Sequence, residues 1–221
     1  MFDNQYSKFY DLFNHDKPYK KEIEMIYKWA EYPKTIFDIG CGTANYWKYY
    51  PKKVQLLGIE KSKKMINKSK YRKHIIHDDI IYHKVPIYHD IWITPYFDLA
   101  TALFDVINYI PTQKWWKDLP LAKGDHFIFD ILDKKKVDKE GFTHTQKFLG
   151  DIGREIFPES YDGKEAKLAI YFYANNGIYL EHHTLYMYSI DDIKKFCGKD
   201  FEIVDIKPTE KWQTWYKLVK K

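Results

Sequence analysis

The sequence has little cysteine and no long apolar stretch. Its two cysteines, Cys41 and Cys197, lie far apart and form no Cys-x-x-Cys pair, so neither a disulfide framework nor a zinc-binding spacing is indicated. We therefore expect reduced thiols, a cytoplasmic setting and no bound metal. No run approaches about 18 apolar residues, and the first residues lack a basic segment followed by an apolar one. The sequence thus predicts neither a membrane span nor a signal peptide.

Charge of one sign is not concentrated in any segment either. The 36 Lys and Arg residues are mixed along the chain with 31 Asp and Glu residues, and the net charge is +5. The basic run Lys134-Lys135-Lys136 is short, which is typical of a solvated surface. No nucleic acid partner is expected, whereas the mild positive charge suits a phosphate-bearing small molecule.

Aromatic residues, in contrast, make up 19% of the chain. They are enough for an aromatic core, for a pocket walled by Tyr and Trp, or for both. Short apolar runs predict buried strands at 35–39, 54–59, 74–77, 97–104 and 126–131. Apolar residues at helical spacing, and the segments between the strands, predict helices at 6–13, 20–31, 62–71 and 112–119. This alternation indicates an α/β fold with a mostly parallel, Rossmann-like sheet covered on both faces.

The pattern changes after the fifth strand. Extended segments are predicted at 147–157, 167–174 and 178–189, with an Asn175-Asn176-Gly177 turn that is typical of a hairpin. A short helix at 191–197 and two strands at 201–204 and 212–219 close the chain. We expect a single domain over 1–221, with an N-terminal helical lid at 1–32 and a small antiparallel insert at about 145–190.

One motif carries the chemistry. Asp38-Ile39-Gly40-Cys41-Gly42-Thr43-Ala44 stands where the first strand meets the next helix, and its glycines allow a sharp turn and close approach to a ligand. Glu60 ends the second strand, where a carboxylate can bind two ribose hydroxyls. Ligands of open α/β sheets bind at the carboxyl ends of the strands, so a nucleoside is expected across strands one and two.

The identity of the nucleoside follows partly by exclusion. A dinucleotide fingerprint ends G-x-x-G/A, whereas Ala44 is followed here by Asn45, which disfavours nicotinamide and flavin cofactors. No G-x-x-x-x-G-K-[ST] segment is present, so a P-loop is excluded.

These residues resemble the class I S-adenosylmethionine (SAM)-dependent methyltransferases, whose first motif is acidic-x-Gly-x-Gly-x-Gly. Ala44 replaces the third glycine, which slightly crowds the methionine end. The segment from Leu57 to Met65 resembles the second strand, the ribose-binding acid and the following helix of that family. His77-Asp78-Asp79-Ile80 resembles the turn that meets adenine.

Within this class, the chain is most similar to small-molecule enzymes that N-methylate nucleotide-linked amino sugars. Tyr10-Asp11-Leu12-Phe13, followed by Tyr19, resembles their N-terminal helix and lid. The segment 97–109 resembles their fourth strand and loop, and Glu181-His182-His183 with 188–191 resembles the end of their insert.

The resemblance implies a set of SAM-binding residues. Asp38 and Gly40 would hold the methionine ammonium together with the backbone carbonyl of Leu103. Asp79 would bind the adenine amine, with Asp78 as a competitor. The full expected cofactor set is Tyr10, Tyr19, Asp38, Gly40, Gly42, Glu60, Met65, Asp79, Ile80 and Leu103.

The acceptor side is less defined by the sequence. Methyl transfer needs alignment of the two centres and, for an ammonium or hydroxyl acceptor, a group that takes the proton. The candidates for this catalytic role are Asp105, Tyr109, His182 and His183, and the substrate-binding candidates are Tyr6 and Arg154.

We expect a SAM-dependent methyltransferase of a small molecule, such as a nucleotide-linked or phosphorylated sugar or amine, modified on nitrogen or oxygen. A protein or RNA methyltransferase of the same fold and a non-catalytic SAM-fold subunit are the alternatives. The segment after strand four reads Leu103-Phe104-Asp105-Val106 rather than Asn/Asp-Pro-Pro-aromatic, which argues against a base-amino methyltransferase. The expected partner is a small-molecule acceptor, without a membrane, in a monomer or homodimer.

Overall fold

The computed structural model describes residues 6–83, 96–209 and 212–221, and the described strands form two sheets. The strands of the first half are β1 (Thr35–Ile39), β2 (Gln55–Glu60), β3 (Ile75–His77), β4 (Leu99–Ala102) and β5 (His126–Leu132). The later strands are β6 (Thr145–Leu149), β7 (Ile152–Tyr161), β8 (Glu165–Ala174), β9 (Gly177–Tyr186), β10 (Phe201–Pro208) and β11 (Gln213–Lys220).

The main sheet has seven strands in the order β10-β11-β5-β4-β1-β2-β3. The pairs from β5 through β3 are parallel, and β11 is antiparallel to both β5 and β10. β1 and β4 are buried along most of their length, which requires cover on both faces. The predicted α/β class is confirmed, and the order reverses between β1 and β4, where such sheets bind ligands.

The helices are α1 (Tyr6–Phe13), α2 (Tyr19–Trp29), α3 (Lys63–Lys68), α4 (Lys134–Glu140) and α5 (Ile190–Cys197). The short helix predicted at 191–197 is α5, which has Gly198 as its C-cap and begins with a capping box between Ser189 and Asp192. α4 was not predicted, and the side chain of Asp133 caps its first turn. Within the described ranges, no helix is both long and apolar enough to cross a membrane.

Three predicted helices differ in the structure. The helix expected after the first strand is a 3₁₀ helix, Asn45–Tyr49. The helix expected over 62–71 ends at Lys68, because Ser69 adopts an extended backbone. The helix expected over 112–119 is a 3₁₀ helix, Lys114–Asp118. Its two tryptophans are buried in the core, and Trp116 Nε1 donates to Gln113 Oε1 at 2.7 Å. Packing of two large indoles in consecutive positions therefore decides the local winding.

Strand four is shorter than its apolar run. The run predicted a strand over 97–104, whereas β4 ends at Ala102. Phe104 and Asp105 have positive φ angles of 69° and 60°, which a strand cannot accommodate. The chain leaves the sheet at this point and forms the 3₁₀ segment Val106–Tyr109.

The second sheet is antiparallel, in the order β6-β7-β8-β9. The stretch predicted as a single extended segment over 147–157 is split between β6 and β7, which are joined by a turn at Gly150. The Asn-Gly hairpin is confirmed, since Ala174 pairs with Gly177 between β8 and β9.

The second sheet packs against both α1 and the segment after β4. Phe172 of β8 contacts Phe9 and Phe13 of α1, with ring centroids 6.3 and 6.1 Å apart. The side chain of Asn108 donates to the Tyr186 carbonyl at 2.7 Å and accepts from the Leu132 N–H at 2.9 Å. These contacts hold the insert over the carboxyl edge of the main sheet.

Candidate functional site

The chain makes a tight turn where β1 ends. Gly40, Gly42 and Ala44 all have left-handed backbone, with φ angles of 62°, 58° and 59°. The Gly40 N–H donates to the Ile59 carbonyl at 2.8 Å, which ties the turn to β2. A Cβ at Gly40 would lie 2.7 Å from Val106 Cγ1. Glycine is needed here both for the backbone angle and for the close approach of the loop after β4.

The carboxylate of Glu60 lies against this turn at the end of β2. Its Oε2 accepts the N–H of Gly42 at 2.9 Å, and its Oε1 accepts the N–H of Ser62 at 2.7 Å. The side chain is buried and lines a cavity of about 390 Å³ at the carboxyl edge of the sheet. A carboxylate has about four acceptor sites, and these two backbone hydrogen bonds occupy two of them and fix the orientation of the Glu60 side chain.

Asp79 and Ile80 line the same cavity. Asp79 Oδ1 accepts the N–H of Ile81 at 3.1 Å, and Asp79 Oδ2 lies 2.8 Å from Lys61 Nζ. Ile80 is buried and presents an apolar surface beside them. The structure thus places a polar group next to an apolar one, as a flat heterocycle with an exocyclic amine requires.

Asp78 also lines this cavity, but its partner is different. Its Oδ2 lies 2.7 Å from His83 Nδ1, and this hydrogen bond lowers the pKa of Asp78 below its usual value. Both aspartates predicted as competitors therefore reach the site, one tied to Lys61 and the other to His83.

A second, smaller cavity adjoins the first at Gly40, which lines both. It is lined by Asp38 and Leu103, among others. The buried Asp38 carboxyl accepts from Trp47 Nε1 and from Thr101 Oγ1, both at 2.7 Å. Burial raises the pKa of Asp38 to about 6, and the two hydrogen bonds partly oppose this shift.

Two tyrosines from the N-terminal helices cover the small cavity. The ring centroid of Tyr10 lies 6.2 Å from that of Phe104, and the ring of Tyr19 lies edge-on to Tyr46 at 4.9 Å. The predicted cover by Tyr10 and Tyr19 agrees with these positions. Their role in binding a cofactor stays a prediction.

Asp11 attaches α1 to the glycine turn. Its Oδ1 accepts from Thr43 Oγ1 and from Asn45 Nδ2, both at 2.6 Å. Asp11 was not predicted to be functional, although it lies in the segment 10–13 that resembles the N-terminal helix and lid. Because α1 is fixed to the turn, movement of α1 would change the small cavity directly.

Among the predicted catalytic residues, Tyr109 and His183 lie within hydrogen-bond distance of each other. Tyr109 lines the large cavity, and its hydroxyl oxygen lies 3.2 Å from His183 Nδ1. His183 is 1% exposed, and its Nε2 lies 3.4 Å from Glu181 Oε2. A chain of polar groups therefore runs from the cavity wall into the second sheet.

His182 and Arg154 lie elsewhere. His182 points to the opposite face of β9, is exposed, and lies 3.1 Å from Glu159 Oε2. The Arg154 guanidinium lies 5.3 Å from the centroid of the Phe13 ring, beside α1. Tyr6 begins α1, and its side chain lies outside the described part of the chain.

Three further predicted residues, Gly42, Asp105 and Met65, are not among those that line the two cavities. Asp105 turns toward β5 and β11, where Gln213 Nε2 donates to its Oδ1 at 3.2 Å. Met65 is buried beneath the turn, and its Cε would lie 3.3 Å from a Cβ at Gly42. Met65 therefore packs against the glycine turn.

Three side chains that fix the loops around the two cavities were not predicted from the sequence. Lys61 pairs with Asp79, Val106 packs on Gly40, and Asp130 accepts the N–H of Phe104. Of these three residues, only Lys61 could have been identified from the sequence, because it directly follows Glu60. In the described ranges, no group of three or more His, Cys, Asp or Glu side chains is arranged to hold a metal ion.

Sequence comparison does not identify a relative. No protein-family model matches the chain, and a search of curated proteins finds no match.

Comparison of structures does identify the fold. A SAM-dependent methyltransferase from Clostridium acetobutylicum superimposes with a TM-score of 0.77 at 21% identity, covering 98% of each chain. The SAM-bound amino pentose methyltransferase CalS10 from Micromonospora echinaspora has a TM-score of 0.71 at 13% identity, covering 94% of this chain and 93% of CalS10. The sugar N-methyltransferase KedS8 from a Streptoalloteichus species has a TM-score of 0.71 at 15% identity, covering 96% and 92%. The chain therefore has the fold of SAM-dependent methyltransferases, as its motifs led us to expect.

Proposed function

We propose that this protein is a SAM-dependent methyltransferase that acts on a small molecule. The observation that carries the proposal is the convergence of Glu60, Gly40 and Asp79 on one cavity, at the carboxyl ends of β1 to β3. In this fold, that edge is where a ligand binds. The solved structure of CalS10, which has the same fold, contains SAM.

The large cavity suits the adenosine part of SAM. Glu60, held by two backbone N–H groups, would accept hydrogen bonds from the ribose hydroxyls. Asp79 would accept from the adenine amine, and Ile80 would pack on the ring. This division of polar and apolar contacts is the usual composition of a small-molecule site.

We place the methionine part of SAM toward the small cavity, because polar groups line its walls. Asp38 and the backbone carbonyl of Leu103 would hold the ammonium group, with Tyr10 and Tyr19 above it. SAM supplies a methyl group on a sulfonium that is already activated. The protein then has to align the acceptor and exclude water, which can contribute roughly 7–11 kcal/mol.

On the acceptor side, we assign proton transfer to Tyr109 and His183. The Tyr109 hydroxyl lines the cavity and lies within hydrogen-bond distance of His183 Nδ1, and Glu181 lies behind the ring. In this arrangement, His183 would take a proton from the acceptor side through the Tyr109 hydroxyl, and Glu181 would stabilise the imidazolium.

The acceptor class we favour is a nucleotide-linked or phosphorylated sugar or amine, methylated on nitrogen or oxygen. Two of the proteins with this fold are described as an amino pentose methyltransferase and a sugar N-methyltransferase. The inner face of the second sheet carries His183, and Arg154 lies on the same sheet and could bind a phosphate. In this proposal α1 and the second sheet form a lid within one domain, in a cytoplasmic monomer or homodimer.

The first test is titration calorimetry of the protein with SAM, with NADH as the comparison ligand. We expect SAM to bind and NADH not to bind. The matched variant is Glu60→Gln, which keeps the size of the side chain and should weaken SAM binding. Absence of SAM binding by the folded wild-type protein would refute the proposal.

The second test concerns the acceptor. Transfer of labelled methyl from SAM would be measured with a panel of nucleotide-linked amino sugars, phosphorylated sugars, a peptide library and total RNA. Transfer to a sugar or amine supports the proposal. Transfer to peptide or RNA favours the protein or RNA methyltransferase, and tight SAM binding without transfer to any of them favours a non-catalytic subunit.

A further inference from the structure

A buried carboxylate lies beneath the loop that separates the two cavities. Asp130 of β5 is 0% exposed. Its Oδ1 accepts the N–H of Phe104 at 2.7 Å, and its Oδ2 accepts the N–H of Asp105 at 3.1 Å. Both donors belong to residues with positive φ, a strained conformation for non-glycine residues. The carboxylate of one side chain therefore accepts both N–H groups of the strained turn.

Asp105 completes the arrangement from the other side. One Nε2 group, that of Gln213, donates to Asp130 Oδ2 at 2.9 Å and to Asp105 Oδ1 at 3.2 Å. The Asp130 carboxylate thus accepts three N–H groups, two from the turn and one from Gln213.

Burial and charge act on both aspartates. Burial raises the pKa of Asp105 and that of Asp130, and the negative charge of Asp105 raises the pKa of Asp130 further. The nearby cation is Lys17, whose Nζ lies 3.0 Å from Glu22 Oε1 and 4.4 Å from the centroid of the Phe104 ring. Its charge lowers the pKa of both aspartates and so opposes the effect of burial.

Tyr46 is the other titratable side chain that faces this region. Its hydroxyl donates to Glu22 Oε2 at 2.6 Å, and burial raises its pKa well above the usual value, so it stays neutral. Tyr46 therefore contributes no charge that changes near neutral pH.

The turn determines the walls of both cavities. Leu103 and Phe104 line the small cavity, whereas Val106 and Tyr109 line the large one. Val106 packs directly on Gly40, which lines both. A change in the backbone at 104–105 would therefore displace Leu103 at the small cavity and Tyr109 at the large cavity.

We propose that Asp130 is a positioning residue for the cofactor cleft, holding the Phe104–Asp105 turn by its carboxylate. This inference rests on the proposed function in so far as SAM is the ligand of the cleft. It gives Asp105 a structural role through its backbone N–H, in place of the general-base role that the sequence suggested.

The test compares two chemically identical substitutions on touching residues. Asp105→Asn keeps the backbone N–H that donates to Asp130 and supplies an amide oxygen that accepts from Gln213. Asp130→Asn places an NH₂ group against backbone N–H donors. We expect Asp105→Asn to bind SAM within about threefold of wild type, whereas Asp130→Asn should weaken SAM binding about 10- to 100-fold.

Amide hydrogen exchange at Phe104 and Asp105 supplies a readout without SAM. Both amides should be protected in wild type and Asp105→Asn and should exchange faster in Asp130→Asn. If wild type does not bind SAM, the proposed function fails, and the exchange of these two amides still decides this inference. Equal effects of the two substitutions on both readouts would overturn it, as would wild-type SAM affinity with protected amides in Asp130→Asn.

The wild-type protein gives a further check if Asp130→Asn does not fold. The N–H groups of Phe104 and Asp105 donate to a carboxylate that is 0% exposed, so both amides should exchange slowly in the folded protein without SAM. Fast exchange of either amide in the wild type would overturn the inference.

Discussion

Gly40 and Gly42 have the same backbone conformation and different neighbours, which separates two causes of glycine selection. Their φ angles are 62° and 58°. A Cβ at Gly40 would lie 2.7 and 2.8 Å from the Cγ atoms of Val106, whereas a Cβ at Gly42 would lie 3.3 Å from Met65 Cε. Carbon atoms pack at about 3.5–4.0 Å, so Val106 would have to move by about 1 Å, while the end of Met65 can rotate away.

The expected losses of unfolding free energy follow from this difference. The left-handed backbone costs on the order of 1–2 kcal/mol for alanine at either position. Overpacking adds about 1–3 kcal/mol at Gly40 alone. Gly42→Ala should therefore lose about 1–2 kcal/mol, and Gly40→Ala about 2–5 kcal/mol.

Urea denaturation followed by circular dichroism would measure these losses. Val106→Ala removes the two methyl groups in the way, so combining it with Gly40→Ala should recover about 1–3 kcal/mol in a double-mutant cycle. Combining it with Gly42→Ala should give additive losses. Equal losses for the two glycine variants, or additivity at Gly40 as well, would refute the argument that Val106 selects Gly40.

Three further predictions concern the cleft. Glu60→Gln should weaken SAM binding by about 1.5–3 kcal/mol, because it removes the charge from hydrogen bonds to the ribose and to the turn. Calorimetry that finds unchanged affinity in the folded variant would contradict this role. Burial raises the pKa of Asp38 to about 6, so its carboxylate forms as the pH rises through that value. SAM affinity should therefore increase from about pH 5 to about pH 7 in wild type and stay nearly constant in Asp38→Asn, and a parallel increase in both proteins would disprove the assignment. His183→Gln should lower kcat by about 10²-fold or more with an identified acceptor, and His182→Gln by much less. Similar kcat values for the two variants would show that alignment alone drives the reaction.

The sequence by itself determined the frame of the site. Strand β1 begins and ends where its apolar run does, and the glycines that follow it form the predicted turn. Glu60 lies at the end of β2 and faces the cavity. These features are local, because they depend on burial of a short run and on backbone angles that glycine alone adopts readily.

Alternation along β9 was also readable from the sequence. It placed His182 and His183 on opposite faces, and the structure agrees. The sequence did not show which of the two histidines points to the interior, because this depends on how the second sheet packs on the segment after β4. His183 meets Tyr109, which precedes it by 74 residues.

The role of the Asp130 carboxylate was decided by tertiary structure alone. It binds the N–H of Phe104, 26 residues earlier, and the side chain of Gln213, 83 residues later. No periodic pattern links these three positions. Their proximity follows from the order β11-β5-β4 in the sheet, which brings the carboxyl end of β5 beneath the loop after β4. The same burial that removes Asp130 from water raises the pKa of both Asp130 and Asp105, so the titration of these residues is a property of the folded chain.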